Sequence, residues 1–195
     1  KDLKTIINVT TDKCYENKEW YWGYRENESM GGLDPYSCSK GCSELITNSY
    51  RHSFFSDLGI AIASARAGNV IGGGDWSEDR LIPDAIRSFE ASKKIKIRNP
   101  DAIRPWQHVL EPLSGYLLLA ERLHEEGNLF EGAWNFGPND DDAISVQSMI
   151  DKLCKSWNYS HGWIIDKKDD LHEANYLKLD ISKAKNNLKW FPKFS

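Results

Sequence analysis

The stretch Thr-Ile-Ile-Asn-Val-Thr-Thr-Asp-Lys, residues 5–13, decides the fold of this chain. Its first five residues are mostly apolar and β-branched, and the polar cluster that follows ends the run abruptly. Such a run is typical of a buried parallel strand with functional groups at its C-terminal edge. A second apolar run, Ile-Ala-Ile-Ala-Ser-Ala at residues 60–65, predicts another buried strand. Between the two, Asp34 as N-cap and a proline at the first helical position begin a helix that we expect to reach about Leu58, where Gly59 stops it.

The order strand, helix, strand favours an α/β fold with a parallel sheet. Farther along the chain, apolar spacing and turn residues predict smaller elements. They are a loop over residues 15–33, a short helix over 81–92, an edge strand over 94–98, a helix from Pro112 to about Gly127, a strand over 133–136, a helix from Ser145 to Trp157 and a last helix over 181–188.

The composition excludes several classes of protein. The 195 residues are 40% hydrophobic and 28% charged, with a formal net charge of -4, which suits one sizeable folded domain and excludes a disordered or fibrous chain. Lysines and arginines are scattered, so no basic stripe predicts a nucleic-acid partner. No apolar run approaches the ~20 residues that cross a bilayer, so we expect no membrane insertion. The four cysteines form no metal-type CxxC pair, and free thiols in a reduced, cytoplasmic setting are the plain interpretation.

Tyr36 and Lys40 lie four residues apart on the predicted helix, so both side chains project from one face. A lysine ammonium beside a phenol stabilises the phenolate, and the phenol pKa then falls from its usual value of about 10. Such a pair can act as an acid/base couple for hydride chemistry at a carbinol. Any amphipathic helix can place these two residue types at this spacing, so the pair alone does not establish a site.

Thr11, Asp12 and Lys13 directly follow the first strand. They bring a hydroxyl, a carboxyl and an amine to the C-terminal edge of the sheet, where α/β folds bind ligands. The alternative interpretation is structural, a polar turn that caps the strand end. The helix with Tyr36 and Lys40 is the next regular element along the chain, which favours a shared site.

With these residues the sequence resembles the extended short-chain dehydrogenase/reductases, in particular their nucleotide-sugar 4,6-dehydratase branch. The resemblance covers essentially the whole chain and rests on motifs that occur in order. They are Thr-Thr-Asp-Lys-Cys-Tyr (10–15), Pro-Tyr-Ser-Cys-Ser-Lys (35–40), Ala-Arg-Ala-Gly-Asn-Val-Ile-Gly-Gly-Gly-Asp-Trp (65–76), Arg-Pro-Trp-Gln-His-Val (104–109), Trp-Asn-Phe-Gly-Pro (134–138), Glu-Ala-Asn-Tyr-Leu-Lys-Leu-Asp (173–180) and Ser-Lys-Ala-Lys-Asn-Asn-Leu-Lys-Trp (182–190).

The resemblance implies a role for each catalytic candidate. Tyr36 would take the proton of the sugar C4 hydroxyl as hydride passes to the cofactor NAD. Tyr36 and Lys40 would both bind NAD, and Lys40 would hold its nicotinamide ribose and lower the tyrosine pKa. Thr11 would hydrogen-bond the C4 oxygen, and Asp12 would protonate the departing C6 hydroxyl. Lys13 stands where thymidine-linked relatives carry a glutamate that removes the C5 proton, which fits the cytidine-linked members but leaves the identity of the C5 base open.

Later motifs match the sugar-nucleotide site of the family. Asn69 corresponds to a substrate-contacting asparagine, and Arg80 and Leu81 correspond to a segment that lies along the nucleotide. Arg104 corresponds to an arginine that clamps the diphosphate, a role that its fork of N–H donors suits. The alternatives are a turn asparagine and surface arginines.

The same resemblance implies a Rossmann-like organisation. Residues 1–68 would form part of the NAD-binding domain and carry the catalytic residues. Residues 69–195 would form mostly the substrate-binding region, with segments near 104–136 returning to the sheet. No G-x-G-x-x-G or G-x-x-G-x-x-G run is present, and the three glycines at 72–74 follow the wrong strand and begin no helix. We therefore expect these residues to be the C-terminal part of a larger Rossmann enzyme.

The function that the resemblance implies is the NAD-dependent dehydration of a nucleotide sugar, with CDP-glucose as the expected substrate and a 4-keto-6-deoxy sugar as the product. A nucleotide-sugar epimerase or decarboxylase is the nearest alternative, disfavoured by the acid directly after the strand-end threonine. A non-catalytic fragment that binds a sugar nucleotide or a partner is an alternative from another class, and the missing glycine run favours it. A homodimer or higher homo-oligomer is implied by the resemblance alone, and no metal ion is expected.

Overall fold

The computed structural model describes residues 3–166 and 175–194 and shows an α/β fold. The strands are β1 (Thr5–Val9), β2 (Ala61–Ala67), β3 (Asn69–Ile71), β4 (Ile95–Ile97), β5 (Ile103–His108), β6 (Gly132–Phe136), β7 (Ala143–Ser145) and β8 (Trp163–Ile165). The α-helices are α1 (Pro35–Tyr50), α2 (Leu81–Glu90), α3 (Leu110–Glu126) and α4 (Val146–Trp157).

The central sheet has the strand order β1-β2-β6, and both of its strand pairs are parallel. Thr5 lies opposite Ala61, and Ala63 lies opposite Gly132. A second sheet has the order β3-β5-β7, with β3 parallel and β7 antiparallel to β5, and a third consists of the parallel pair β4 and β8. The predicted α/β class with a Rossmann-like parallel sheet is confirmed.

α1 begins where the sequence predicts and changes character near its end. The Asp34 carboxylate accepts a hydrogen bond from Ser37 N–H at 3.0 Å, which satisfies one of the free donors of the first turn. The α-helix ends at Tyr50, and a π-helical turn (Arg51–Phe55) continues it towards Gly59. The φ of this glycine is +66°, a value that glycine adopts without strain. The predicted helix therefore exists, in two helical forms.

The sequence pattern missed the strands β3, β5, β7 and β8 and misplaced the start of α3. β5 contains a charged residue and a proline instead of an apolar run, and only its pairing with β3 and β7 makes it a strand. α3 begins at Leu110 rather than at Pro112, because a proline is also tolerated within the first helical turn. The predicted last helix over 181–188 is confirmed in position, since residues 182–188 are helical, and its segment Ala184–Leu188 is a π-helical turn.

The two faces of the central sheet are packed differently, and β2 shows the contrast. Ala61, Ala63 and Ala65 belong to a buried apolar cluster that also contains Leu119 and Leu123 of α3. The alternate residues of β2 point to the other face, because successive side chains of a strand point to opposite sides. There, a serine and an arginine of β2 hydrogen-bond to a glutamate of α1. α3 therefore covers an apolar face of the sheet, and α1 covers a polar one.

A separate apolar cluster joins α2, β4 and α4. Its buried members are Ala85, Phe89, Ile95, Ile97 and Ile150. β6 and α3, although they come late in the chain, pack in the cluster of the central sheet. The division of the chain at residue 68 stays a prediction.

Within residues 3–166 and 175–194, no helix combines the length and the apolar content that crossing a bilayer requires.

Candidate active site

The chain turns sharply where β1 ends. Thr10 N–H donates to the Ala65 carbonyl at 2.8 Å, which extends the sheet by one residue. A single 3-10 turn (Asp12–Cys14) follows, and the Thr11 hydroxyl accepts a hydrogen bond from Lys13 N–H at 3.4 Å. Thr11 therefore caps this turn, the structural role that the sequence left open, and the cap keeps its hydroxyl at the strand end.

The Asp12 side chain is buried in this turn, with 2% of the residue exposed. The Thr11 hydroxyl donates to Asp12 Oδ1 at 2.9 Å. Asp12 Oδ2 has no hydrogen-bond partner among the residues that the structure describes. Gly68 and Pro105 bound the space beside it, since a Cβ at position 68 would lie 3.1 Å from Oδ2 and 2.5 Å from Pro105 Cγ. Only glycine leaves room there for the carboxyl group.

The protonation of Asp12 follows from this environment. Burial raises the pKa of Asp12 to about 6, although the hydrogen bond from Thr11 and the charges of Lys13 and Arg104 act to lower it. A carboxyl group with such a pKa can hold a proton near neutral pH and release it to a nearby oxygen. The turn therefore offers a proton donor at the carboxyl end of the sheet.

Two cations lie within electrostatic reach of this acid. Lys13 is exposed and also contributes to the lowered pKa of Asp34, which results mainly from hydrogen bonds with Ser37. The charge of Lys13 therefore acts both on Asp12, in the Asp12–Cys14 turn that we name the acid turn, and on Asp34 at the start of α1. Arg104 lies on β5, and its Nη1 donates to the Ile103 carbonyl at 3.0 Å. β5 thereby brings a guanidinium group to the same turn.

Tyr36 and Lys40 lie in the first two turns of α1. Lys40 Nζ is 5.4 Å from the centroid of the Tyr36 ring, so the predicted common face is confirmed. Tyr36 is 53% exposed, which leaves its phenol accessible to a ligand rather than buried in the core.

α1 packs directly on the acid turn. A Cβ at Gly41 would lie 3.5 Å from the Cys14 carbonyl oxygen, an ordinary contact distance. Gly31 N–H donates to the same carbonyl at 2.9 Å. The helix that carries the tyrosine and lysine therefore touches the turn that carries the threonine and aspartate. That the four side chains converge on one cleft stays a prediction.

A buried polar network that the sequence did not reveal lies between α1 and the sheet. Glu44 and Arg66 are 4% and 2% exposed, and their charges pair through Arg66 Nε to Oε1 at 2.8 Å and Nη2 to Oε2 at 2.9 Å. Arg66 Nη1 also donates to the Tyr15 hydroxyl at 2.8 Å, which donates to Asn135 Oδ1 at 2.7 Å. The network therefore connects α1, β2, β6 and the residue after the acid turn.

Both charges of this network are stabilised where they lie. Burial acts to raise the pKa of Glu44, but hydrogen bonds from Arg66, Ser64 and Thr10 and the Arg66 charge together hold it below its ordinary value. Burial acts to lower the pKa of Arg66, and its bonds to Glu44 outweigh that effect and raise it. The pair is therefore ionised. The signals in the sequence were a lone arginine in the small-residue strand 61–67 and a glutamate four residues after Lys40.

The predicted substrate residues occupy three different settings. Asn69 is the first residue of β3 and lies opposite Trp106 of β5. Arg80 flanks the start of α2 and forms an exposed ion pair with Asp75, with Nη1 to Oδ2 at 3.7 Å. Leu81 packs partly buried against the cluster of α2, β4 and α4. Of the predicted substrate residues, Arg104 is the one whose charge reaches Asp12. The binding roles of these residues stay predictions.

Comparison with protein families and curated proteins gives consistent matches. A family model described as GDP-mannose 4,6 dehydratase matches residues 2–195. The chain is 56% identical, over 99% of its length, to the CDP-glucose 4,6-dehydratase of Salmonella typhimurium, of which it covers 55%. It is 32% identical, over 96% of its length, to an uncharacterised protein of Schizosaccharomyces pombe, of which it covers 56%. The chain therefore spans about half the length of the curated relatives it matches.

Solved structures share this fold. The UDP-glucuronic acid 4-epimerase of Bacillus cereus, in complex with UDP-glucuronic acid and NAD, matches the whole chain with a TM-score of 0.85 at 22% identity, and the chain covers 58% of it. The dTDP-glucose 4,6-dehydratase of Bacillus anthracis, in complex with NAD, matches 97% of the chain with a TM-score of 0.77 at 19% identity, and 57% of it is covered. At these identities the likeness establishes the fold alone.

Proposed function

This chain belongs to the GDP-mannose 4,6-dehydratase family, and from that premise we propose that it forms the catalytic part of an NAD-dependent CDP-glucose 4,6-dehydratase. The observation that carries the proposal is the buried Asp12 carboxyl. Its Oδ2 has no hydrogen-bond partner within residues 3–166 and 175–194, and its turn touches the tyrosine/lysine helix. Dehydration needs a group that protonates the departing hydroxyl, whereas epimerisation at C4 does not. A raised pKa suits Asp12 to that task.

The side chains of α1 fit a nicotinamide dinucleotide. Tyr36 and Lys40 present a hydroxyl and an ammonium group on one accessible helix face, and a ribose diol offers oxygens that suit both donors. NAD, when bound, would supply the acceptor for the hydride of the sugar C4 and return it to C6. Lys40 would hold the ribose, which leaves the Tyr36 hydroxyl to act on the sugar.

The remaining steps concern protons at stated atoms of the sugar. Tyr36 would take the proton of the C4 hydroxyl, and the Thr11 hydroxyl would hydrogen-bond the C4 oxygen. A C4 ketone acidifies the C5 proton. Lys13 follows the acid directly and is the candidate to remove that proton in its neutral form, which a bound substrate would favour by covering the amine, and to return a proton to C5 when the hydride reaches C6. Asp12 would give its proton to the C6 oxygen as water leaves. The product would be CDP-4-keto-6-deoxyglucose, a deoxysugar precursor.

Binding of the nucleotide would fall to the later elements. Asn69 would contact the sugar, Arg80 and Leu81 would lie along the nucleotide, and Arg104 would clamp the diphosphate. The position of Arg104 beside the acid turn supports its part, because a diphosphate next to a sugar at Asp12 would lie within reach of that guanidinium.

The test separates water loss from proton exchange at C5. The full-length protein that contains this chain is given CDP-glucose and NAD in deuterated water, and mass spectrometry follows loss of water and uptake of deuterium at C5. We expect Asp12→Asn to slow water loss about 10²–10⁴-fold, the usual contribution of a general acid, while deuterium uptake continues. Tyr36→Phe should abolish both, because C4 is then not oxidised. The control is Asp57→Asn at an exposed position, which should change neither.

Other results would identify the alternatives. Water loss at an undiminished rate in Asp12→Asn would remove Asp12 as the acid. Inversion at C4 without water loss in the wild type would identify an epimerase. A wild type that binds CDP-glucose and converts nothing would identify a binding protein.

Assembly and location are further parts of the proposal. The outward face of α1 exposes Leu45, Ile46 and Tyr50 at 60%, 58% and 49%, a surface that suits a homodimer contact. Leu45→Glu should then shift the mass measured by light scattering to that of a monomer.

Cys14, Cys38, Cys42 and Cys154 are free thiols, which supports a cytoplasmic location.

A further inference from the structure

We propose that Glu44 is a positioning residue, which sets the helix of Tyr36 and Lys40 against the turn of Thr11 and Asp12 through a hydrogen bond from Thr10. This inference rests on the proposed function, because it concerns the relative placement of the groups that would move protons on the sugar. Glu44 itself would touch neither sugar nor cofactor.

The inward face of α1 is polar, which makes hydrogen bonds the contacts that define its position. The buried residues of α1 are Ser37, Gly41 and Glu44. Two apolar residues of the same helix, Leu45 and Ile46, are instead exposed. Apolar contact is non-directional and tolerates sliding, whereas hydrogen bonds have narrow distance and angle limits. The register of α1 along the sheet therefore depends on its polar contacts.

Two residues of the β1 end make those contacts. Asn8 Nδ2 donates to Ser43 Oγ at 3.2 Å and to Thr47 Oγ1 at 2.7 Å. The Thr10 hydroxyl donates to Glu44 Oε1. Asn8 and Thr10 are two residues apart, so both point to the face of the sheet that α1 covers. The strand therefore holds the helix at two successive points.

Glu44 also holds α1 to the next strand, β2. Ser64 Oγ and Arg66 Nη2 donate to Glu44 Oε2, and Arg66 Nε donates to Oε1. With partners on both oxygens, the carboxylate has one orientation relative to two strands. A buried ionic group of this kind adds little net stability but can specify one arrangement over its neighbours.

The proposed catalytic groups lie on two elements, the acid turn and α1. The hydrogen bond between Thr10 and Glu44 is a short connection between these two elements. Thr10 is bonded to Thr11 and lies two residues before Asp12. Glu44 lies one helical turn after Lys40 and about two turns after Tyr36 on the same helix. A misplacement of reacting groups by about 1 Å can cost about 10²-fold in rate, so this connection bears on turnover more than on binding.

The experiment compares two threonines that both bond across the same interface. In the full-length protein, Thr10→Val removes the hydroxyl that reaches Glu44, and Thr10→Ser retains it. The matched control is Thr47→Val, which removes a hydroxyl bonded to Asn8 on the same helix, farther from the acid turn. We measure kcat and KM for CDP-glucose, and hydrogen exchange of the amides of residues 12–14.

We expect Thr10→Val to lower kcat about 10–100-fold with KM changed less than about threefold, and Thr10→Ser to recover most of the rate. Exchange of the 12–14 amides should quicken in Thr10→Val and stay unchanged in Thr47→Val. A wild-type kcat in Thr10→Val, or a loss of kcat that Thr10→Ser does not recover, would show that the bond serves the fold alone and would overturn the proposal.

Absence of dehydration in the wild type would contradict the proposed function and is separate from this outcome. In that case the exchange measurement decides the positioning role by itself. Equal exchange rates of residues 12–14 in Thr10→Val and Thr47→Val would overturn it.

Discussion

α1 and α3 cover opposite faces of the same three-stranded sheet, and they do so by different chemistry. α3 buries Leu119 and Leu123 against the alanines of β2, and Gly115 lets it approach so closely that a Cβ there would lie 2.3 Å from Phe136 Cδ1. α1 instead buries Glu44, whose charge pairs with Arg66. The apolar face contributes most of the stability, because burial of apolar area is the main favourable contribution to folding. The polar face determines the position of α1, the helix that carries the proposed catalytic pair.

The contrast has a physical basis. Two charges lose their hydration on burial, and their attraction roughly offsets that cost. A single conformation of the pair is nevertheless required, because any other leaves a charge buried and unpaired. A site that needs groups held to within a fraction of an ångström benefits from such a device, whereas a core needs only volume and shape.

The largest effect is expected when one half of the ion pair is removed. Arg66→Met leaves the Glu44 carboxylate buried without its partner, and we expect a loss of about 3–5 kcal/mol in the free energy of unfolding, measured by urea denaturation. Adding Glu44→Gln to Arg66→Met should recover much of that loss. A single-variant loss below about 1 kcal/mol would mean that water reaches the Glu44 carboxylate and replaces the guanidinium.

A cavity on the apolar face, which α3 covers, should lower the free energy of unfolding by a comparable or smaller amount. Leu119 is fully buried, and Leu119→Ala should lower the free energy of unfolding by about 2–5 kcal/mol through lost burial and the cavity left behind. The control is Leu117→Ala on the same helix, 73% exposed, which should change it by less than about 0.5 kcal/mol. Equal effects of the two substitutions would contradict the assignment of the apolar face.

The raised pKa of Asp12 can be tested through the pH dependence of the free energy of unfolding. Its pKa is about 6 in the folded state against 3.8 when solvated, so the folded state holds the proton more tightly, and stability is lost as the pH rises from about 4 through 6. Asp12→Asn removes that loss. We expect the variant to be more stable than the wild type by about 1–3 kcal/mol at pH 8 and little different at pH 4, measured by thermal unfolding. A variant that is destabilised equally at both values would show that the carboxylate contributes favourable bonds instead.

The smallest effect concerns the start of α1. Asp34→Ala removes the side chain that accepts the Ser37 N–H, and loss of an N-cap usually costs about 0.5–2 kcal/mol. Circular dichroism during urea unfolding measures it, and Asp34→Ser, which can still cap, should lose less. If α1 depends on its buried polar contacts for position, kcat of Asp34→Ala should change less than kcat of Thr10→Val.

Local patterns predicted those parts of the molecule whose structure depends on neighbours in sequence. The apolar run before Thr11 is a strand, Asp34 caps α1, and Tyr36 and Lys40 share a face. β5 escaped prediction because its residues have no strand pattern of their own and adopt one only between β3 and β7. The family resemblance identified Arg104, which lies on β5, as a candidate, but only the structure showed that its charge reaches Asp12.

The sequence by itself determined the α/β class, the order of its main elements and the spacing of the proposed catalytic groups, because turn residues, apolar runs and helical periodicity are local properties. Only the tertiary structure decided the burial of Asp12, the position of its Oδ2 beside Gly68 and the pairing of Glu44 with Arg66. All three features depend on which residues exclude water from a given group, and those residues are far apart in sequence. The exclusion of water determines the pKa of a buried acid and whether a buried charge has a partner.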